Sequence, residues 1–296
     1  MESKHRYISE YEVYLMDHKK LSANTLQSYH RDLKFFGLYL DTIGIDCFLR
    51  AAHVDLMTYI IQLKKAGKAN ATISRSIASL RTFYSFLHQK GYTDTNPTLE
   101  LEAPKTDRKQ PQVLSLSEIE RLLSKPDLRT SIGKRDKAMI ELLYATGIRV
   151  SELISLTLSD INTSMGYIKC KSQSKTRVVP LGTMASKAVD IYLKDARGHL
   201  INGEEETLFV NYYGKKLTRQ GFWKVVKRYS DEAKINKTIT PHTLRHSFAF
   251  HMVQNGADLK AVQEMLGHSD VSTTQIYLEM SNSKLRDIYE KTHPRA

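Results

Sequence analysis

At 296 residues the chain is too long for the commonest single-domain size and comfortable as two domains, each with a core of its own. A composition of 41% hydrophobic and 26% charged residues with only 7 Pro and 14 Gly excludes disorder over most of its length. Lys+Arg 44 against Asp+Glu 32 leaves +12, a field that attracts polyanions, nucleic acid first and an acidic membrane face second, and residues on either side of Gln110 share the basic surplus.

The opening MESKHRYISEYEV lacks the apolar core of a signal peptide, and no apolar run reaches the length of a membrane span, so a cytoplasmic protein with no membrane partner is expected. From Ile8 to about Lys90 the apolar residues recur at helical spacing. Leu26, Tyr29, Leu33, Phe36 and Leu40 follow at steps of three and four and predict a helix with Ser22 as N-cap and Gly44 beyond its end. Two more are predicted over 54–66, stopped by Gly67, and over 71–90, stopped by Gly91; with the stretch around Tyr11 and Tyr14 they make a four-helix unit, residues 1–95. Residues 96–112 hold Pro97, Pro104 and Pro111 among polar residues and predict an extended, solvated linker, which lets two units close around an elongated ligand. The second unit, 113–296, opens with a helix over 115–123 and an apolar helical run over 138–144 that Gly147 ends. Tyr167 to Cys170 and Arg177 to Val179 flank the polar 171–176 and predict a hairpin. Helices return after Trp223 and lead to a tail over 281–296. The expected fold class is mainly α with a small antiparallel β-sheet in the C-terminal domain. Cys47 and Cys170 stand far apart in no metal-like spacing, which points to a reducing compartment and to two small apolar fillers.

Several residues carry chemistry in their spacing. Thr240 before Pro241 starts a helix, on which His242 and Arg245, three apart, place an imidazole and a guanidinium side by side near the positive end of the helix dipole, a site of phosphate size. Alone, this pair reads as a solvated basic face. A capped helix from Asp258 to Leu266 stops at Gly267, which sets His268 at a rigid break, and nine residues on stands Tyr277. Alone, Tyr277 is one of 16 tyrosines and reads as half-buried core. Trp223, beside Phe222, reads as core rather than a base-stacking platform, and His246 and His251 as helix support. The histidines lack both paired cysteines and a His-Glu-x-x-His pattern, so no metal site is expected.

Taken together, Ala145-Thr146-Gly147-Ile148-Arg149-Val150-Ser151-Glu152-Leu153, the segment Pro241 to His246, and Leu266-Gly267-His268 with Tyr277 resemble, in order and spacing, the motifs of the tyrosine recombinases, or phage integrase family, and most of all its bacterial Xer-type members. The likeness runs from Leu21-Ser22-Ala23-Asn24-Thr25 through the Pro-rich stretch to Thr292-His293-Pro294-Arg295-Ala296. It implies a two-domain DNA clamp: a helical SAM-like core-binding domain and a tyrosine recombinase catalytic domain. It implies site-specific recombination in which Tyr277 attacks a phosphodiester to give a 3′-phosphotyrosine, Arg149 and Arg245 clamp the phosphate with bidentate forks, and His242 and His268 handle protons and hydrogen-bond the phosphate. Because the phosphoester is kept on tyrosine, rejoining needs no ATP, and no cofactor is implied. The implied partners are double-stranded DNA with inverted-repeat half-sites and further protomers, in a homotetramer or a heterotetramer with a paralogous recombinase.

The family's remaining catalytic residue is a lysine in a β-hairpin turn, and here the match departs. Xer-type members usually carry Gly-Lys-Gly, whereas this chain reads Cys170-Lys171-Ser172-Gln173-Ser174-Lys175-Thr176-Arg177. Counted back from Pro180, Lys171 lies one residue further out than expected and Lys175 several closer in, so Lys171 is the candidate and Lys175 the alternate. In the core-binding domain Thr25, Ser28, Arg31, Asn70, Thr72 and Arg75 are candidate phosphate contacts, polar and at or near helix starts. A type IB topoisomerase shares the tyrosine chemistry as a monomer, and a catalytically silent DNA-binding regulator needs only charge and helices. Against the first stands the apolar stripe of Leu285, Ile288 and Tyr289, which a monomer has to hide and which the resemblance places in a neighbouring protomer; against the second stands the intact catalytic set. Dimer resolution, cointegrate resolution and integration all remain open.

Overall fold

A computed structural model describes residues 2–19, 21, 23–104, 110–171, 176–201, 203–267 and 274. The chain divides into two compact units, 1–108 and 109–296. The first is helical: α1 (Glu2–Tyr14), α2 (Ala23–Thr42), α3 (His53–Lys65) and α4 (Asn70–Gln89). The steps of three and four read in α2 put Leu33, Phe36 and Leu40 in the core, against Phe48, Tyr59, Phe83 and Tyr84. Each such side chain, fully buried, contributes on the order of 1.5–3 kcal/mol. Gly44, Gly67 and Gly91 follow α2, α3 and α4 with positive φ. Lys4 ties α1 to the end of α2, its ammonium donating to the carbonyls of Gly37 and Ile45 and pairing with Asp41.

The stretch from Asn96, expected to be extended and solvated, is folded at its start. Asn96 Oδ1 accepts from Thr98 N and Oγ1, and the turn so formed buries Thr98 and drops Leu101 into the first unit's core. His53 Nδ1, 3.0 Å from Pro97 O, and Arg81, donating to Leu101 O, hold this segment down together with the buried Leu101.

The second unit contains α5 (Leu116–Leu123), α6 (Ser131–Thr146), the short α7 (Val150–Leu153), β1 (Ile161–Asn162), β2 (Tyr167–Lys171), β3 (Thr176–Pro180), α8 (Thr183–Asp195), α9 (Arg219–Glu232), α10 (Pro241–Gln254) and α11 (Leu259–Leu266). The expected hairpin is β2–β3, in the register Cys170↔Arg177 and Lys171↔Thr176, and β1 adds a third antiparallel strand on the β2 edge. Two residues are too few for a strand alternation to show. The helix read over 138–144 begins seven residues earlier, at Ser131, where Thr130 accepts from Gly133 N at 2.9 Å; its first turns are polar and hide its start. α8 packs on α6 and buries Ala185, Ala188, Val189 and Tyr192, and the two alanines weaken its apolar periodicity. Phe222 takes the core position of α9, which turns its neighbour Trp223 outward to 41% exposure under the Lys227 ammonium; the expectation that Trp223 is core is corrected by that rotation of one residue.

Candidate active site

Two left-handed glycines build the site. Gly147 ends α6 with φ 60° and Gly267 ends α11 with φ 64°, and each leaves carbonyls of a last helical turn without intrahelical donors. Arginines fill that need. Arg245, in the second turn of α10, donates through Nη1 to Gly147 O and through Nη2 to Leu266 O at 2.7 Å. Arg149, the N-cap of α7, donates through Nη2 to Gly267 O at 2.9 Å. Arg177 on β3 donates through Nε to Met265 O at 2.9 Å. Three guanidiniums thus hold three successive carbonyls, 265 to 267, at the negative end of the α11 dipole. Arg245 is 5% exposed, whereas the Arg149 side chain is 42% exposed, so the cationic cluster runs from the interior to the surface.

Glu152 is the hub beneath them. Its carboxylate is 7% exposed and accepts from Arg177 Nη1 and Nη2 at 2.6 and 2.9 Å and from Arg149 N at 2.7 Å, with Arg149 Nη1 at 3.5 Å. Burial pushes this carboxyl up, but the Arg177 fork, the Arg149 amide and both charges outweigh it and hold it below the usual carboxylate range.

His242 stands exposed in the first turn of α10, where Thr240 caps by accepting from Thr243 N at 3.2 Å and Pro241 occupies the first helical position. Its ring lies 6.4 Å from that of His246. Burial, then the charges of His242 and Arg245, press the His246 imidazole down to about 4, so it is neutral near pH ~7. His251 is buried with Nδ1 2.9 Å from Tyr144 Oη. Lys171 ends β2 with its side chain 64% exposed and its ammonium 2.7 Å from Asp160 Oδ1. Burial raises the Asp160 carboxyl, and hydrogen bonds from Lys171 and Thr157 overcome that and lower it.

Arg149, His242, Arg245 and Lys171 are therefore placed around α7, the start of α10, the end of α11 and the hairpin. His268, Tyr277, Lys175 and the tail stripe Leu285, Ile288 and Tyr289 lie outside the described residues. Among the described residues no group of His, Cys, Asp and Glu could hold a metal ion, and no helix is long and apolar enough to cross a membrane. Cys170 is buried on the inner face of the hairpin, and burial pushes its thiol up to about 12.

In the first unit Thr25, Ser28 and Arg31 lie along the first half of α2 and Asn70, Thr72 and Arg75 along the first two turns of α4. Arg31 and Asn70 are exposed and the other four half-buried. Arg75 is engaged with the buried Asp32 in a bidentate pair at 2.8 and 2.7 Å that joins α4 to α2.

Sequence reading assigns no role to Glu152, Asp160 or Arg177. Two signals stand in the chain: a carboxylate three residues after Arg149, where it reaches back to the Arg149 amide, and an arginine at an inward hairpin position opposite Cys170.

The phage integrase family model matches residues 112–284, and that of the phage integrase N-terminal SAM-like domain matches residues 8–91. The chain is 49% identical over 293 residues to a tyrosine recombinase XerD of Oceanobacillus iheyensis, with 98% of each chain covered. It is 46% identical over 282 residues to a tyrosine recombinase XerD of Halalkalibacterium halodurans, with 93% of each covered. A crystal structure of XerH site-specific recombinase bound to palindromic difH substrate, a post-cleavage complex, shares the fold with a TM-score of 0.76 at 22% identity, over 95% of this chain and 83% of that one. The arginine cluster, the two domain matches and the near-complete likeness to Xer-type relatives agree: the chain belongs to the phage integrase family, the tyrosine recombinases, and is an enzyme of site-specific DNA recombination.

Proposed function

We propose that this enzyme cuts and rejoins double-stranded DNA through a 3′-phosphotyrosine at Tyr277, without metal or ATP, at inverted-repeat half-sites in a synapse of four protomers, either a homotetramer or a heterotetramer with a paralogous recombinase in the cytoplasm. The observation that carries the reading is the trio of guanidiniums on carbonyls 265–267, since it concentrates positive charge at the residue that precedes His268. Anchored on backbone, Arg149 and Arg245 need little reorganisation to meet charge that develops on a phosphate. Tyr277 Oη gives up its proton to an imidazole, His242 or His268, and displaces the 5′-oxygen; the P–O5′ bond breaks as the P–O tyrosine bond forms, and a proton goes to the leaving oxygen from Lys171, or from Lys175 as the alternate. The reverse attack by a 5′-hydroxyl restores the phosphodiester, so the ester energy is conserved. His242 and His268 complete the proton handling.

In this proposal residues 1–95 are the core-binding domain, contacting phosphates through Thr25, Ser28, Arg31, Asn70, Thr72 and Arg75. Residues 96–112 are the linker, folded at its start, and 113–296 the catalytic domain, with the tail 281–296 docking on a neighbouring protomer. The test is covalent capture on a nicked suicide substrate: Tyr277→Phe is expected to bind DNA and form no adduct, and an adduct formed at the normal rate excludes Tyr277 as nucleophile.

A further inference from the structure

We propose that Arg177 is a positioning residue for strand cleavage, one that locks the lysine-bearing hairpin onto the arginine cluster so that the leaving oxygen receives its proton; the proposal rests on the phosphotyrosine reading above. The hairpin register sets its direction. Arg177 stands opposite the buried Cys170, and its strand neighbours Thr176 and Val178 face outward. The register pair beside it is Lys171↔Thr176.

From that inward position the guanidinium leaves its own sheet and joins two helices. Its Nη pair forks onto the α7 carboxylate of Glu152, and its Nε reaches the α11 carbonyl of Met265. A planar fork with a third donor on its side satisfies both partners at once, which an ammonium does not do. Glu152 continues the link to the Arg149 amide, and Met265 adjoins the carbonyls held by Arg245 and Arg149. Gly267 provides the room: a Cβ there would stand 3.0 Å from Arg177 Cζ and Nη1, on a backbone already at φ 64°. The Arg177 side chain is 16% exposed, so it acts through the groups it holds.

Ile168, Cys170 and Val179 anchor the inner face of the hairpin in the unit's apolar core with Leu153 and Leu244, and Arg177 adds the polar link between the lysine end of the hairpin and the clamp. The contact of Lys171 with Asp160 lies on the β1 side of the sheet, and Lys171 itself is largely exposed. Losing Arg177 therefore loosens the lysine end of the hairpin, next to the Lys171↔Thr176 pair, and the step that suffers is protonation of the leaving 5′-oxygen. A 5′-bridging sulfur leaves without a proton and reads that step alone.

The experiment is single-turnover adduct formation by the full chain, at saturating protein, on suicide duplexes with bridging oxygen or bridging sulfur. Arg177→Met is expected to slow the oxygen substrate about 10²-fold or more, the scale of a lost general acid, and the sulfur substrate less than about tenfold. Arg177→Lys keeps a charge beside Glu152 and protects the fold but lacks the fork; the same selectivity, at smaller amplitude, is expected of it. Equal slowing on both substrates by both variants overturns the coupling alone, and so does an unchanged rate on oxygen. A wild-type chain that forms no adduct at Tyr277 on either substrate overturns the phosphotyrosine reading and the coupling with it.

Discussion

The substitution Gly147→Ala isolates what the end of α6 contributes to the site. Gly147 has φ 60°, and a Cβ on it would fall inside the Phe248 ring contact, with Phe248 Cε1 at 2.7 Å and Leu266 Cδ2 at 2.9 Å. Two costs add: the left-handed backbone, about 1–2 kcal/mol, and forced displacement of packed side chains, about 1–3 kcal/mol. Gly256 in the same unit has φ 84° and nothing within 4 Å of a built Cβ, so Gly256→Ala carries the first cost without the second. The loss of unfolded-state freedom on replacing glycine is common to both and cancels. Gly147→Ala should therefore melt below Gly256→Ala by the crowding alone, roughly 2–12 °C for a unit of this size. Calorimetric scans of the two full-length variants measure that difference. Phe248 and Leu266 also flank the carbonyls that hold Arg245, so adduct formation by Gly147→Ala should fall at temperatures where it remains folded, while Gly256→Ala keeps its rate. Equal melting temperatures refute the crowding argument, and normal cleavage by Gly147→Ala refutes the view that the glycine sets the arginine.

Glu152 is held below the ordinary carboxylate range, so its pairing contributes stability above the unfolded value near ~4.3 and loses it as pH falls through the lower folded value. Melting curves from about pH 7 to about pH 3 should show Glu152→Gln less stable at the neutral end and converging with wild type at the acid end; a constant gap refutes the linkage. His246 is depressed to about 4, so the folded chain resists its protonation while the unfolded chain takes the proton near ~6.5, and stability falls across that window as pH drops. An NMR titration that finds the His246 ring protonating near ~6.5 refutes this. Affinity for duplex DNA should fall steeply with salt if two basic units neutralise many phosphates, and a log–log slope flatter than about −3 refutes a clamp.

The helices of the first unit are legible because their core faces are built from large apolar side chains at three- and four-residue steps, as in Leu33, Phe36 and Leu40. α8 is less so, since two of its four buried positions, Ala185 and Ala188 beside Val189 and Tyr192, are alanines, which carry little periodic signal of their own. β1 is too short, and the packing of Leu101 depends on the turn made by Asn96 rather than on composition. In the site, the residue types that bear charge are visible in the sequence, and the resemblance gathers Arg149, His242 and Arg245. What holds them is not visible. The acceptors at 147, 265, 266 and 267 are main-chain carbonyls, which every residue carries, and only the positive φ of Gly147 and Gly267 leaves a trace, as glycine.

The two kinds of cation in the site are held in different ways, and the difference suits the chemistry proposed for them. Arg245 and Arg149 rest on backbone carbonyls at helix ends, where the partner cannot move without unwinding a turn, so their charge is fixed in place before DNA arrives. Lys171 rests on a side chain, Asp160, and is itself 64% exposed, so its ammonium reaches solvent while the carboxylate, 6% exposed, stays in place. A group that must stabilise charge gains from rigidity; a group that must hand over a proton and recover it has to exchange partners at little cost. Thr157 N and Oγ1 donate to Asp160 Oδ2 at 3.0 and 2.7 Å, so that oxygen keeps its partners while the ammonium is away from Oδ1.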